Sequence, residues 1–146
     1  MNFENLKVGE KNSVEITVTE SDTAFAMKSG SLKVLATPKL ICLVEEAAAT
    51  LAEKLLPAEY TSVGVSVDVK HTAPTPVGLK VHVEVELIEV DGRKLTYAVS
   101  ASDAAGEVLN GRHDRFIVNR EKFQSKANFR EQGLGNREQK AESSKP

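Results

Sequence analysis

The strongest constraint in this sequence is a single long helical pattern between residues 38 and 56. Apolar residues recur there at the three- and four-residue spacing that builds one apolar face of an amphipathic helix. They are Leu40, Leu43, Val44, Ala47, Ala48, Leu51 and Leu55. A chain of 146 residues with 40% hydrophobic content suffices for one domain with a substantial core. That core has to form against this one helix.

The other apolar residues mostly alternate with polar ones, which is the period of a half-buried strand. The predicted strands are 13–19 before the helix and 63–71, 79–87, 95–101 and 108–118 after it. The pairs Asp91-Gly92 and Ala105-Gly106 provide turns between the last three strands. One strand, one long helix and four meandering strands predict an α+β fold in which an antiparallel sheet packs against the helix.

The segment from 124 to 146 is charged, contains glycine and has almost no aliphatic residues. Because such a composition cannot bury a core, we expect a polar C-terminal tail that stays mobile or lies loosely on the surface. The folded domain is therefore predicted to comprise residues 1–123, with residues 20–36 forming an irregular segment between the first strand and the helix.

Charge and composition exclude several classes of function. The formal net charge is −2 and the isoelectric point is near 6.0, so neither nucleic acid nor an acidic membrane surface is an expected partner. The single cysteine, Cys42, excludes an internal disulfide, and the three histidines lack metal-ligand spacing. The first nine residues carry no secretory signal pattern, and no segment is apolar for long enough to span a bilayer. These features predict a cytoplasmic protein without a metal site.

Three polar residues, Thr37, Glu45 and His71, occupy positions where core-facing side chains are expected. At 100° per residue Glu45 points among methyl groups on the flank of the helix, where a carboxylate suits acid, base or nucleophilic chemistry, or it borders the solvated face. His71 ends a run of alternating valines and faces inward with them, as a proton-transfer group or as a hydrogen-bonded packing residue. Thr37 precedes Pro38, and a helix N-cap followed by proline would explain both residues.

Six stretches of the sequence carry a further signal. They are Ala36–Glu45 (ATPKLICLVE), Gly64, His71–Gly78 (HTAPTPVG), Val90–Arg93 (VDGR), Gly111–Arg115 (GRHDR) and Glu121–Phe123 (EKF). In identity and spacing they resemble the fluoroacetyl-CoA thioesterase family of hotdog-fold proteins, over roughly Leu6 to Phe123. The order of elements is also similar to that of the hotdog fold, in which a meandering antiparallel sheet wraps around one long helix.

In that family a threonine, a glutamate and a histidine form the catalytic group, so the resemblance implies this function for Thr37, Glu45 and His71. Glu45 would act as the nucleophile through a mixed anhydride, or as the base that activates water, with His71 and Thr37 assisting. The resemblance also implies that Gly64 and Arg115 bind substrate. Gly64 would let the acyl group approach the backbone, or would simply mark a bulge in a strand. Arg115 would reach the CoA side or form a salt bridge in the site, or would be a solvated charge.

The reaction implied is hydrolysis of an acyl-CoA, with the CoA thioester as substrate and no cofactor. The resemblance is weakest between 21 and 34, where the family has a phenylalanine lid over the acyl pocket. Gly30–Lys33 contains no aromatic residue, although Phe25 could serve a related purpose. We therefore expect a short or medium acyl group of ordinary metabolism rather than a fluorinated one. Hotdog domains dimerise edge to edge, so the resemblance implies a homodimer, in which Glu45 and His71 can come from different chains.

Two other functions stay open on the sequence alone. A hotdog hydratase or dehydratase would use a histidine and an acid on acyl-CoA, although such enzymes normally carry this pair in a different local motif. A non-catalytic acyl-CoA-binding module would keep the pocket without needing the acid and the base. Release of thiol from a panel of acyl-CoAs distinguishes these functions from thioester hydrolysis.

Overall fold

A computed structural model describes residues 3–143 of the chain and the side chains of residues 3–131. Within that part the chain forms five strands and three helices. The strands are β1 (Lys11–Thr17), β2 (Tyr60–His71), β3 (Lys80–Asp91), β4 (Lys94–Asp103) and β5 (Gly106–Asn119). The helices are α1 (Ala24–Met27), α2 (Thr37–Leu55) and α3 (Arg120–Ser143). The predicted order of the strands and the long helix is confirmed.

The five strands form one antiparallel sheet in the order β1-β3-β4-β5-β2. This order puts β1 and β2 at the two edges. α2 lies across one face of the sheet and runs antiparallel to β2, because Thr37 at its start contacts His71 and Glu53 near its end accepts a hydrogen bond from Thr61. The predicted α+β architecture, an antiparallel sheet around one long helix, is confirmed.

The core lies between the apolar stripe of α2 and the facing side of the sheet. The buried helix residues are Leu40, Leu43, Val44, Ala47, Ala48, Leu51 and Ala52, and they meet Val81, Val83, Val85, Leu87, Leu95, Tyr97, Val99 and Ala101 on β3 and β4. Burying one such leucine or valine stabilises a fold by about 1.5–3 kcal/mol. Asn12 also donates a hydrogen bond to the Ala47 carbonyl at 3.0 Å. These contacts fix the middle of α2, which carries Glu45.

A β-bulge at Val65 breaks the strict alternation that the sequence predicts for β2. Gly64 pairs with Arg115 and Ser66 pairs with Asp114, so Val65 has no opposite residue on β5. Its side chain is 57% exposed. One extra residue in a strand reverses which face each following side chain takes.

The bulge therefore changes which residues of β2 face α2. Val63 pairs with the exposed Phe116, whereas His71 pairs with the buried Leu109. Gly64 faces α2 as well, although it lies an odd number of residues from His71 and strict alternation would put the two on opposite faces. His71 does point toward α2, but the prediction that all four valines share its face is wrong.

α2 also begins differently from the prediction. Ala36 is the N-cap residue, Thr37 is the first helical residue and Pro38 is the second, and no side chain caps the helix. The hydroxyl of Thr37 instead bonds to the imidazole of His71. The predicted N-cap function of Thr37 is therefore wrong, and the hydroxyl is available to the site.

The C-terminal segment continues β5 into the helix α3, which the sequence analysis did not predict. That this segment is a mobile or loosely attached tail stays a prediction. The backbone N–H of Lys122 donates to Asn119 Oδ1 at 3.1 Å, which caps the first turn. The segment lacks apolar periodicity, but it is rich in Glu, Gln, Lys, Arg and Ala, which have high helix propensity. Phe123 and Phe129 on this helix are exposed. The boundary of the folded domain at residue 123 stays a prediction.

The backbones of β2 and β5 come unusually close together at Gly111 of β5. Its φ is +153°, and a Cβ atom there would lie 2.1 Å from the Asp68 carbonyl oxygen. Gly106 also has a positive φ, +132°, but a Cβ atom there would meet nothing within 4 Å. We expect Gly111→Ala to lower the free energy of unfolding by about 3 kcal/mol or more beyond the loss caused by Gly106→Ala. Urea unfolding of the two variants measures this difference, and equal losses would contradict it.

Asp22 anchors the turn before α1, a 3-10 helix spanning Glu20–Asp22, to the first turn of α2. Its carboxylate accepts hydrogen bonds from the backbone N–H and the hydroxyl of Thr19 at 2.8 and 2.9 Å, and Lys39 Nζ lies 3.5 Å away. Burial alone would raise the pKa of Asp22, but the Thr19 hydrogen bonds and the Lys39 charge together hold this pKa below its usual value of 3.8. The charged carboxylate therefore stabilises the fold above pH 3.8, and this contribution is lost as the pH falls through the lower pKa of the folded state.

We expect Asp22→Ala to destabilise the protein by about 1.5–3 kcal/mol at pH 7, since charged hydrogen bonds are lost. The difference from the wild type should shrink as the pH falls below 3.8. Urea unfolding at a series of pH values measures it, with the exposed neighbour Glu20 changed to Ala as the control. A difference that is independent of pH would show that the charge of Asp22 contributes nothing.

Candidate active site

Thr37 and His71 form the first part of the site, where the start of α2 meets the end of β2. Thr37 Oγ1 and His71 Nδ1 lie 2.7 Å apart and share a hydrogen bond whose direction depends on the imidazole tautomer. The other ring nitrogen, Nε2, is buried and has no hydrogen-bond partner among the residues that the structure describes. A buried polar atom without a partner is costly, and such atoms are typical of positions that a substrate or another chain completes.

Glu45 and Arg115 form the second part, further along α2. Arg115 Nη1 lies 3.4 Å from Glu45 Oε2. The arginine side chain is only 7% exposed, whereas that of Glu45 is 45% exposed. Arg115 also donates from Nε to Ser62 Oγ at 2.8 Å and from Nη2 to the Ser62 carbonyl at 3.0 Å. The solvated-charge alternative for Arg115 is therefore wrong, and the salt-bridge alternative describes what is observed.

Gly64 lies directly against the carboxylate of Glu45. A Cβ atom at this position would be 2.5 Å from Glu45 Oε2 and 3.3 Å from Arg115 Nη1. Gly64 also adjoins the bulge at Val65, as the bulge alternative for it predicted, whereas its contact with substrate stays a prediction. The missing side chain leaves room for the carboxylate, and the same gap would let a bound acyl group reach it.

His113 joins this second part although the sequence did not single it out as a site residue. It is 1% exposed, its Nδ1 is 2.8 Å from the Ser66 carbonyl, and its Nε2 is 3.2 Å from Arg115 Nη1. Burial lowers the pKa of His113, and the Arg115 charge acts in the same direction, whereas the Ser66 carbonyl and the charge of Glu45 oppose them with a smaller net effect. The imidazole is therefore held neutral. The signals in the sequence were its place within the Gly111–Arg115 motif and its position two residues before Arg115, on the same face of a strand.

The two parts of the site lie apart within one chain. Thr37 and Glu45 are eight residues apart on α2, which separates their Cα atoms by about 12 Å at 1.5 Å per residue. Glu45 contacts Arg115 opposite Gly64, whereas His71 lies at the far end of β2. The structure thus brings Thr37 together with His71, and Glu45 together with Gly64 and Arg115. It does not bring Glu45 to His71 in a single chain.

Other features that could indicate a function are few among the described residues. Among the residues whose side chains are described, no three or more His, Cys, Asp and Glu side chains form a group able to hold a metal ion. Cys42 is exposed and free, on the polar side of α2. None of the helices within residues 3–143 is both long enough and apolar enough to cross a membrane.

Comparison with solved structures defines the class of fold. A hot-dog-like protein from Thermanaerovibrio acidaminovorans aligns with a TM-score of 0.82 at 25% identity, over 89% of this chain and 97% of that one. The fluoroacetyl-CoA thioesterase FlK aligns with a TM-score of 0.79 at 32% identity, over 84% of this chain and 96% of that one. The protein has the hotdog fold, as predicted.

Comparison of sequences then identifies the family. The model of the family described as fluoroacetyl-CoA-specific thioesterase matches residues 18–121. The fluoroacetyl-CoA thioesterase of Streptantibioticus cattleyicolor is 39% identical over 94 residues, which cover 64% of this chain and 68% of that enzyme. The chain belongs to the fluoroacetyl-CoA-specific thioesterase family, which is a family of thioester hydrolases. The family that the motifs predicted is thus confirmed.

Proposed function

We propose that this protein hydrolyses the thioester bond of a short or medium acyl-CoA, and that it does so as a homodimer with composite sites. The observation that carries the proposal is the separation of the site into two complementary parts. One part offers an imidazole with an unpartnered buried nitrogen, and the other offers a half-exposed carboxylate held by a buried arginine. Each part lacks what the other provides for proton transfer and nucleophilic attack. A cytoplasmic location stays a prediction.

The edge strand β2 supports the homodimer. Among the strands that the structure describes, β2 pairs only with β5, so its other edge offers backbone hydrogen-bonding groups to a second chain. If two β2 strands pair antiparallel about a two-fold axis through position 68, the extra residue at the bulge brings Gly64 of one chain opposite His71 of the partner subunit. Glu45, which contacts Gly64 in its own chain, would then face the partner's imidazole.

The proposed chemistry needs three groups at the thioester carbonyl, which are a nucleophile or base, a proton-transfer group and donors for the oxyanion. Glu45 attacks the carbonyl carbon to give a mixed anhydride and expel the CoA thiolate, which takes up a proton, and water then hydrolyses the anhydride. In the other route Glu45 removes a proton from the water that attacks the carbonyl directly. The imidazole of His71 transfers the proton at the sulfur or at the water, and Thr37 orients the imidazole through their 2.7 Å hydrogen bond. The first turn of α2 presents backbone N–H groups that suit the developing oxyanion.

The composition of the segment before α2 favours a substrate whose acyl group carries no fluorine. Residues 30–33 contain no aromatic side chain. Phe25 on α1 is 59% exposed, and its ring lies 5.9 Å from Lys33 Nζ. A ring so exposed provides little apolar cover for a small acyl pocket in one chain. We therefore propose acetyl-CoA and short straight-chain acyl-CoAs as the first substrates to test.

We expect Glu45→Gln and His71→Ala each to lower kcat for acyl-CoA hydrolysis by about 100-fold or more, because each removes a proton-transfer or nucleophilic group. The matched controls are Glu46→Gln, one residue along α2 on its exposed side, and His82→Ala on the exposed side of β3. Both should stay close to the wild type. Thiol release from a series of acyl-CoAs measures the rates.

Full activity in Glu45→Gln would contradict the proposed chemistry. Acyl-CoA binding without thiol release from the wild type would favour a non-catalytic binding module. Hydration of a crotonyl-type substrate would favour a hydratase.

The composite site makes a separate prediction about mixtures of inactive variants. In a heterodimer of Glu45→Gln and His71→Ala, one site contains both intact residues and the other contains neither. Since random exchange of subunits makes half of the dimers heterodimers, we expect about a quarter of the wild-type activity to return. The assay is thiol release after the two variants are unfolded together and refolded.

A mixture of Glu45→Gln with itself, taken through the same refolding, is the control for recovered background activity. No recovery in a mixture that sedimentation shows to be dimeric would mean that each site lies within one chain. A monomeric wild type would also contradict the composite site.

A further inference from the structure

A buried histidine that the proposed chemistry does not use lies next to the carboxylate that it does use. His113 is on the face of β5 that packs against α2, with its ring 6.3 Å from the ring of Tyr97 at an interplanar angle of 27°. Its two ring nitrogens reach Ser66 and Arg115. Both contacts lie beside the β-bulge of β2, because Ser66 follows Val65 and Arg115 pairs with Gly64.

The partners of His113 fix its tautomer. The Ser66 carbonyl oxygen can only accept a hydrogen bond, so Nδ1 must carry a proton and donate it at 2.8 Å. The guanidinium of Arg115 can only donate, so Nε2 must be unprotonated and accept at 3.2 Å. A single arrangement satisfies both contacts, which is the neutral imidazole with its proton on Nδ1.

The same guanidinium nitrogen serves both His113 and Glu45. Arg115 Nη1 has two hydrogens, and its two acceptors are His113 Nε2 at 3.2 Å and Glu45 Oε2 at 3.4 Å. Of the three other N–H donors of Arg115, one on Nε and one on Nη2 are directed at Ser62. With one hydrogen of Nη1 held by the imidazole, the other can point only toward the carboxylate.

We propose that His113 is a positioning residue, which orients Arg115 and, through it, the carboxylate of Glu45. The inference rests on the proposed function, in which Glu45 reacts at the thioester. The acceptor at Nε2 fixes the guanidinium, and the donor at Nδ1 ties the same imidazole to the bulge that brings Gly64 to Glu45. His113 thus couples the backbone of β2 to the direction of the reactive oxygen atom.

The combined effect of the groups around His113 favours a neutral ring. Burial has the largest effect and lowers its pKa, and the Arg115 charge lowers it as well, whereas the Ser66 carbonyl, Glu45 on α2 and Asp114 on β5 raise it by less in total. Tyr97 on β4 stays protonated, since burial raises the pKa of its hydroxyl to about 12. Nε2 therefore remains able to accept the hydrogen bond from Arg115 throughout the neutral range.

Two substitutions separate the two hydrogen bonds of His113. In His113→Asn the side-chain amide can still donate near the position of Nδ1, but nothing accepts near the position of Nε2. In His113→Gln the longer side chain can place its oxygen where Arg115 donates. We expect His113→Asn to lower kcat by about 10- to 100-fold with little change in KM, and His113→Gln to recover activity to within a few-fold of the wild type.

A double-mutant cycle with Arg115→Ala tests whether His113 acts through the arginine. We expect His113→Asn to cause no further loss of kcat when Arg115 is already absent. Equal additional losses in both backgrounds, or equal activity of the Asn and Gln variants, would overturn the inference. The melting temperature of each variant reports any separate effect on the fold.

A spectroscopic measurement tests the inference about His113 independently of whether the protein hydrolyses acyl-CoA. The ¹⁵N chemical shifts of His113 in the wild-type protein should show a neutral ring protonated at Nδ1. A ring protonated at Nε2, or a charged ring at pH 7, would overturn the inference even if the enzyme is active. Absence of hydrolysis for every acyl-CoA would contradict the proposed function, and the shifts would still test the contacts of His113.

Discussion

The β-bulge at Val65 is the feature on which the rest of the site depends. Without the extra residue, Gly64 and His71 would face opposite sides of β2, since they are separated by an odd number of positions. With it, both face α2, so one helix can present Thr37 to the imidazole and Glu45 to the glycine. The bulge leaves one residue of β2 without a pairing partner on β5, and it thereby lets both parts of the site form along the same helix.

The bulge is fixed from both faces of the sheet. On the side toward α2, His113 donates to the Ser66 carbonyl at 2.8 Å. On the other side, Ser66 Oγ donates to Asp114 Oδ2 at 2.8 Å, and Thr96 donates to the second carboxylate oxygen at 2.8 Å. The hydrogen bond from Thr96 has the largest influence on Asp114 and lowers its pKa. Adjacent residues of β5 thus hold one residue of β2 in place, which is possible because they point to opposite faces.

The fold can be predicted well from the sequence because helices and strands follow repeated patterns of apolar residues. The site can be predicted less completely because it depends on local departures from those patterns. The helix 38–56 and the strands followed from periodicity and agree with α2 and β1–β5 to within a few residues. The bulge leaves no signal in a run of alternating valines, so the faces of Val63 and Val65 were missed. Thr37 before Pro38 has the pattern of an N-cap, and only the position of His71 in space shows that the hydroxyl bonds to the imidazole instead. His113 was missed because its importance comes from Arg115 and Ser66, which lie beside it only after folding.

The buried guanidinium of Arg115 explains how a carboxylate can serve a composite site. Burying a charge is expensive, and the protein meets that cost within one chain, through Ser62, His113 and Glu45. Glu45 itself stays 45% exposed in the single chain. If a partner subunit covers it in the proposed dimer, its counter-ion is already in place and correctly oriented. Association then has to desolvate one carboxylate beside a fixed positive charge, rather than assemble an ion pair from two solvated groups. In the proposed dimer, the folded subunit would thereby prepare the electrostatics of the site, and assembly would contribute the imidazole.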